Sequence, residues 1–250
     1  MKVHLIYIRL VYANSMRNKK SYLVTLGLLT AGLALGQSSE HSPVTLGLKV
    51  GIPVTDMFST SNTGTASILS GTGLSGFTGI PGSNYSSHTP RYILGASAEF
   101  HMPLHLRLEV DALYKRGGYN NSIPIGAGTA YLPTSLNWWE VPALFKYNIA
   151  MGHFRPFVDF GASLRHISTI TQTAFIPGNF QGVISNNSGD LHNRNSVGAV
   201  AGFGITFKKG PFELTPEARY TRWANQAFAS NNGGLRTNLD QGDILLGISF

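Results

Sequence analysis

The chain has 250 residues, of which 42% are hydrophobic, 11% aromatic and only 12% charged, and it contains 29 glycines and no cysteine. The charged fraction is about half of the usual share, which excludes an intrinsically disordered chain. The lack of cysteine excludes disulfides and thiolate-ligated metal sites. A composition rich in glycine and aromatic residues and poor in charge is typical of an all-β protein with a lipid-facing surface.

The first predicted element is an export signal over residues 1–36. A basic cluster at 17–20 precedes an uncharged apolar stretch at 22–35, and residues 34–36 have the small-x-small pattern of a cleavage site before Gln37. The apolar stretch is shorter than the ~20 residues that a membrane-spanning helix needs. We therefore predict a cleaved signal peptide, with an uncleaved N-terminal anchor as the alternative.

The export signal also accounts for the basic charge of the chain. Residues 1–36 contain five of the nineteen Lys and Arg residues and none of the twelve Asp and Glu residues, so the formal charge falls from +7 to about +2 after cleavage. We therefore expect no nucleic-acid partner. Met16 lies directly before the basic cluster, which makes residues 1–15 a candidate upstream extension from a misassigned start codon. Residues 37–43 are expected to form a short periplasmic segment.

Eight segments of the remaining chain alternate between apolar and polar residues with a period of two, which predicts β-strands. Each has about the length that crosses a bilayer as a tilted strand. In chain order, the segments are 44–54, 92–102, 106–114, 139–149, 154–164, 197–207, 212–220 and 243–250.

The connections between these segments alternate in length. Those at 103–105, 150–153 and 208–211 are short, whereas the others are long and rich in Gly, Ser, Asn and Thr. An even strand number with short turns at one end and long loops at the other is the layout of an outer-membrane barrel. We predict that residues 44–250 form an eight-stranded antiparallel up-and-down transmembrane β-barrel, with short periplasmic turns and long extracellular loops.

Charged residues fall on the polar face of the predicted strands, with seven of each sign. Because the interior of an eight-stranded barrel is narrow, charges inside it must pair or form hydrogen bonds. We interpret this set as an ion-pair network that fills the lumen: Lys49, Glu99, Arg107, Glu109, Asp111, Lys115, Glu140, Lys146, Arg155, Asp159, Arg165, Glu213, Glu217 and Arg219.

Aromatic residues near the ends of the apolar face predict two girdles at the lipid–water interfaces. The girdle toward the turns contains Phe100, Tyr147, Phe154, Phe207, Phe212 and Phe250, and the girdle toward the loops contains Tyr92, Tyr114, Trp139, Tyr220 and Trp223. Trp138 is also expected to be an interface anchor.

Four prolines lie within predicted strands, at Pro53, Pro142, Pro156 and Pro216. Proline has no N–H to donate, and a closed barrel has no free edge where this is harmless. We expect bulges or strand ends there, with strand registers open by one or two positions. A soluble lipocalin-like ligand-binding barrel is the alternative fold.

Residues 44–250 resemble the outer-membrane protein β-barrel domain family, which includes PorT-like and OmpA/OmpX-like eight-stranded barrels. The similarity is carried by residues 155–161, 216–220 and the terminal strand 244–250. In that strand Ile244, Leu246, Ile248 and Phe250 look like the C-terminal signal that the barrel assembly machinery reads. The resemblance implies the outer membrane of a Gram-negative cell, with outer-membrane lipids and the assembly machinery as partners, but no particular activity.

Two motifs carry weak signals for a cofactor or metal. Residues 71–76 match G-x-G-x-x-G, but no predicted strand precedes them and no helix follows, so a surface loop is expected. His101 and His105 flank a short turn and are too few to make a metal site. We therefore predict no cofactor, no metal and no catalytic residue.

The pair His166 and Ser168 raises an enzymatic alternative. Lipid A deacylases of the outer membrane use a His-x-Ser pair with a carboxylate, where the histidine is the base and the serine the nucleophile. In this chain Thr169 stands where those enzymes have Asn, and Glu140 or Glu217 would have to reach the pair from another strand.

The sequence thus favours a non-catalytic, monomeric outer-membrane barrel. We expect an envelope-structural role or an interaction with an unidentified extracellular partner through loops 57–91 and 168–196, with at most limited passage of small solutes. A lipid A deacylase-like hydrolase and a soluble ligand-binding barrel are the alternatives.

Overall fold

The computed structural model describes residues 43–60, 64–67, 78–87, 92–125, 128–149, 152–176, 180–185, 190–229 and 234–250. The predicted signal peptide and the glycine-rich string at 71–76 lie outside these ranges. No helix in this part of the chain has the length and apolarity needed to cross a membrane.

The described residues form thirteen strands, and eight of them build the barrel wall. The strands are β1 (Val44–Pro53), β2 (Phe58–Thr60), β3 (Gly64–Ser67), β4 (Thr78–Ser87), β5 (Ile93–His101), β6 (Leu106–Ile125), β7 (Gly128–Asn148), β8 (Phe154–Ile176), β9 (Phe180–Ser185), β10 (Asn195–Lys209), β11 (Phe212–Trp223), β12 (Leu235–Thr237) and β13 (Asp240–Ser249).

The barrel wall is a closed antiparallel ring in the order β1-β5-β6-β7-β8-β10-β11-β13. The ring closes where β1 pairs with β13, with Lys49 opposite Gly247. The amide of Phe250 extends this seam by donating to the carbonyl of Leu46 at 3.0 Å. The predicted eight-stranded antiparallel barrel is confirmed, because all eight predicted segments contribute its wall strands in the expected order.

Three wall strands are about twice as long as predicted. β6, β7 and β8 continue past the loop end of the barrel, where Ile125 is still paired with Gly128 and Tyr131 with Phe175. Strand β4 adds to the extension of β6, β3 to β4, and β9 to that of β8. The result is an open sheet in the order β3-β4-β6-β7-β8-β9, which we call the distal sheet. Parts of the predicted loops 57–91 and 168–196 are therefore strand.

The prolines are accommodated without the expected bulges. Pro53 ends β1, and Pro156 lies beyond the end of β7, which pairs with β8 only as far as Asn148. Pro142 and Pro216 lie in mid-strand, where the β6–β7 and β10–β11 ladders each omit two pairs and then resume in the same register. The strand registers, which the sequence leaves open by one or two positions, are therefore continuous past Pro142 and Pro216, with a local gap in strand pairing at each proline.

The wall is apolar on its outer surface and charged on its inner surface. Large apolar side chains such as Leu48, Val141, Phe160 and Phe203 are exposed on the outer surface, whereas charged side chains are buried inside. An apolar outer band is favourable only in an apolar surrounding, and alternating lipid-facing and lumen-facing residues are the signature of a membrane-spanning barrel. This polarity does not fit the soluble lipocalin-like alternative, whose interior would be apolar.

The predicted girdles follow the outer surface with one exception. The structure places these residues on the outer face or at its rim: Tyr92, Phe100, Tyr114, Trp139, Tyr147, Phe154, Phe207, Phe212, Tyr220 and Phe250. Trp223 is instead inside the barrel and 1% exposed, so its assignment to a girdle is wrong. Because β11 continues without interruption to residue 223, alternation from the outward Tyr220 turns Trp223 inward.

Candidate functional site

All fourteen charges assigned to the lumen lie inside the barrel, and all of them except Asp159 form three layers of ion pairs. The layer at the short-turn end is built by strands β5, β6, β8 and β11. Arg107 donates to Glu99 at 2.6 Å and to Glu213 at 3.3 Å, and Arg155 also pairs with Glu213. Lys146 donates to Glu99 at 2.6 Å and links this layer to the next.

The central layer surrounds two cations. Lys49 contacts Glu109, Asp111 at 3.2 Å and Glu217 at 2.9 Å. Arg219 contacts the same three carboxylates, at 3.1 Å, 2.9 Å and 2.6 Å respectively. Glu109 also receives a bond from Lys146. Three of these ion pairs, Lys49 with Glu217 and Arg219 with Glu109 and Asp111, join strands that come together only when the ring closes, so they depend on barrel closure.

The layer toward the loops includes two residues that the charge prediction left out, Asp243 and Gln241. Lys115 bridges Glu140 at 2.7 Å and Asp243 at 2.6 Å, and Arg165 donates to Glu140 at 3.1 Å and to Gln241 at 2.5 Å. Alternation in the last strand places Asp243 on the polar face, so the sequence already contains the pattern that assigns Asp243 to the lumen.

Two tryptophans lie inside the barrel, on the loop side of this layer. The guanidinium of Arg165 stacks over the ring of Trp223 at 3.6 Å from its centroid, and the indole N–H of Trp138 donates to Glu140 at 2.9 Å. Trp138 is therefore a lumen residue, and its expected role as an interface anchor is wrong. Trp139, the next residue, faces outward, as strand alternation requires.

An apolar cluster, which we call the cap, covers the loop end of the lumen. It comprises Met57, Phe58, Tyr85, Tyr119, Leu136, Trp138, Ile167, Ile170, Ala227, Phe228 and Leu235. Its centre is aromatic: the ring of Phe58 lies edge-on to those of Tyr119 and Phe228, with centroids 5.2 Å and 5.4 Å away. The pairing of β2 with β12 holds the inserted segments together.

One carboxylate is buried in the cap. The hydroxyl of Tyr119 donates to the side chain of Asp190 at 3.1 Å, and the amide of Ala229 donates to its backbone carbonyl at 3.0 Å. Burial raises the pKa of Asp190 to about 6, although the Tyr119 hydrogen bond and the charge of His192 act in the opposite direction. No pattern in the sequence points to Asp190, because an isolated Asp in a Gly/Asn-rich segment resembles a turn residue.

The enzymatic motif is not assembled. His166 and Ser168 both lie on the outer face of β8, where the Nδ1 of His166 contacts the side-chain oxygen of Asn195 at 2.7 Å. The hydroxyl of Ser168 donates to the carbonyl of Asn137 at 3.1 Å. Glu140 and Glu217, the carboxylates considered for a triad, are inside the barrel on the other side of the wall.

The arrangement as a whole is a filled tube. Within the described ranges, no group of three or more His, Asp or Glu residues has the geometry to hold a metal ion. His101 and His105 lie at the short turn between β5 and β6. Ion pairs cross the lumen at three levels and the cap covers the top, so this geometry opposes the passage of solutes.

Comparison with known proteins gives likenesses of fold. No protein-family model and no curated protein matches the chain. Among solved structures, it is similar to the outer membrane protein OprG from Pseudomonas aeruginosa, with 13% identity, a TM-score of 0.47 and coverage of 83% of this chain and 94% of that one.

Two further structures are similar. Neisserial surface protein A has 13% identity, a TM-score of 0.41 and coverage of 83% and 96%. Ail, the attachment invasion locus protein of Yersinia pestis, has 9% identity, a TM-score of 0.36 and coverage of 83% and 98%. At these values we take neither activity nor partner from the likenesses. The strand pairing and the polarity of the wall by themselves identify a closed eight-stranded antiparallel barrel of the membrane-spanning kind.

Proposed function

We propose that the chain is a non-catalytic, monomeric integral protein of the outer membrane that acts through the surface of its distal sheet. The observation that carries this proposal is the filled lumen beneath a closed apolar cap. Because the interior is occupied by its own side chains and the wall faces lipid, the distal sheet is the surface that remains available to a macromolecule outside the membrane.

The distal sheet has features of an interaction surface. Tyr131 and Phe175 are register partners on its outer face, and 57% and 39% of their surface is exposed. Tyr131 lies eight residues beyond the girdle residue Trp139, which is roughly 27 Å along the strand. Neighbouring exposed aromatic side chains are typical anchors of protein interfaces. We propose an extracellular protein partner for this patch.

Cysteine accessibility tests the membrane topology, because the native chain contains no cysteine. Single variants Tyr131→Cys in the distal sheet, Phe160→Cys in the lipid-facing band and Leu104→Cys at a short turn are labelled in intact cells with a membrane-impermeant maleimide. In intact cells we expect labelling of Tyr131→Cys only. After the outer membrane is permeabilised, we expect labelling of Leu104→Cys as well. Labelling of Leu104→Cys but not Tyr131→Cys in intact cells would reverse the orientation and refute the proposal.

Solute uptake tests the closed lumen. Proteoliposomes that contain the refolded barrel should take up a small sugar no faster than protein-free liposomes, because three layers of ion pairs cross the interior. A known open porin is the positive control. Uptake that rises with the amount of inserted barrel would assign the protein to the channels instead.

A further inference from the structure

The lumen contains one more negative than positive residue. On the inward face of the described wall strands, the seven cations Lys49, Arg107, Lys115, Lys146, Arg155, Arg165 and Arg219 meet the eight carboxylates Glu99, Glu109, Asp111, Glu140, Asp159, Glu213, Glu217 and Asp243. A narrow interior of low dielectric does not tolerate an uncompensated charge. One positive charge beyond these side chains is therefore needed for neutrality.

Asp159 is the carboxylate that these cations leave out. Each of the other seven has a cation within 3.3 Å, whereas no described Lys or Arg forms an ion pair with Asp159. Its side chain is buried, with 3% of the residue exposed, and neither carboxylate oxygen has a hydrogen-bond partner within the described ranges. The charge count thus requires one uncompensated carboxylate, and the missing ion pairs and hydrogen bonds identify it as Asp159.

The cations nearest to Asp159 form their ion pairs with other carboxylates. Lys146 is directly opposite Asp159 in the β7–β8 ladder, but its ammonium donates to Glu99 and Glu109 and lies 4.4 Å from the centroid of the Phe157 ring. Arg219, reached across Gly202 of β10, donates to three other carboxylates.

The charged groups around Asp159 are thus Lys146 from β7, Glu109 from β6, and Glu217 and Arg219 from β11. Strand β10 faces it with Gly202, which adds no charge. A Cβ on Gly202 would lie 2.6 Å from Oδ1 of Asp159, so glycine keeps the space beside this oxygen open.

We propose that Asp159 binds one small monovalent cation from the solvent, a proton or an alkali ion, when the barrel closes. A proton converts the carboxylate to a neutral acid, and an alkali ion neutralises it in place. Either ligand removes the cost of burying a bare carboxylate. The folded barrel then carries a neutral interior.

The experiment measures urea unfolding of the refolded barrel in detergent micelles, for wild type and for Asp159→Asn. If the ligand is a proton, the folded state holds one proton more than the unfolded state at any pH above the ordinary pKa of Asp, near 4. In that pH range the unfolding constant of wild type, divided by that of the variant, rises about tenfold per pH unit. With Asp190→Asn as the background of both spectra, so that the cap carboxyl contributes no band, the infrared carbonyl band of a protonated carboxylic acid is then present with Asp159 and lost with Asp159→Asn.

If the ligand is an alkali ion, the relative unfolding constant changes instead with the concentration of Na⁺ or K⁺, exchanged for a large organic cation at fixed ionic strength. The expected change approaches tenfold per tenfold change in cation concentration for one bound ion. Neither dependence in wild type relative to Asp159→Asn, together with no infrared band, would overturn the proposal.

Asp243→Asn is the matched control, because it makes the same change at a carboxylate that pairs with Lys115 at 2.6 Å. This variant leaves a cation uncompensated and should destabilise the barrel, whereas Asp159→Asn should be tolerated. If Asp159→Asn does not refold, the protons released on unfolding between pH 5 and pH 8 and the alkali dependence are measured on an Asp190→Asn chain, which retains Asp159. Release of no proton together with no alkali dependence would contradict the proposal.

Discussion

At the residue scale, Asp190 gives the cap a dependence on pH. Its pKa is about 6 in the folded protein, above the ordinary value near 4, because the carboxyl is buried. The folded state therefore binds this proton more tightly than the unfolded state does. The stabilising contribution is complete below about pH 4 and is lost as pH rises through about 6.

Hydrogen exchange of the cap amides checks this dependence. After correction for intrinsic exchange, the amides of Ala229 and Thr237 should exchange up to roughly a hundredfold faster at pH 7 than at pH 4, since two pKa units separate the states. Asp190→Asn should abolish this difference. Asp56→Asn, at an exposed position beside the cap, should retain it, and an unchanged profile in Asp190→Asn would contradict the assignment.

Trp139 faces outward and Trp223 faces inward, and this difference allows a second prediction. Trp223→Ala should lower the free energy of unfolding by about 3–5 kcal/mol, because it opens a cavity and removes the surface on which Arg165 stacks. Trp139→Ala, at an exposed lipid-facing position, should cost less than half as much. Urea unfolding in micelles measures both, and equal losses would show that Trp223 does not pack inside.

At the element scale, close pairing of β7 and β8 depends on a glycine. A Cβ on Gly161 would run into the backbone carbonyl oxygen of Ala143, which cannot move without breaking the ladder. We expect Gly161→Ala to destabilise the barrel by about 1–3 kcal/mol, as overpacking commonly does. Gly247→Ala is the control, since its Cβ would be 3.5 Å from the nearest atom. Equal urea midpoints for the two variants would refute this.

At the scale of the whole molecule, the last strand joins the ends of the chain. Residues 244–250 were predicted to be the assembly signal, and β13 is the strand that closes the ring with β1. We propose that Phe250 is read by the barrel assembly machinery. Phe250→Ala should then reduce the heat-modifiable barrel in outer membranes several-fold, yet refold normally in detergent micelles.

Phe212→Ala is the matched control for this test, because it removes an exposed aromatic side chain at the same end of the barrel. Phe212→Ala should assemble in cells at the wild-type level. If both variants assemble equally well in cells, the terminal aromatic residue is not read. If Phe250→Ala also fails to refold in micelles, its role is structural.

Apolar–polar alternation along the chain predicts the number of wall strands, their order and the side of the wall on which most residues lie. Alternation is a local property of the extended chain, so Lys49 and Glu217 could be assigned to the interior without knowledge of their partners. The same rule, applied strictly, would also have placed Trp223 inside and counted Asp243 among the lumen charges. Trp223 follows alternation although tryptophan is common at lipid–water interfaces, and Asp243 follows it as the first residue of its predicted segment.

The three-dimensional arrangement of the strands determines which charges pair, how far the strands extend and what closes the lumen. Whether Lys146 pairs with Asp159 or with Glu109 depends on the registers and curvature of the closed ring, which no local pattern encodes. β6 to β8 extend past the loop end of the barrel because their backbone groups find partners on neighbouring strands, despite a loop-like composition. The cap joins segments far apart in sequence, Phe58 with Tyr119 and Phe228, because burying their aromatic surface together favours the closed arrangement.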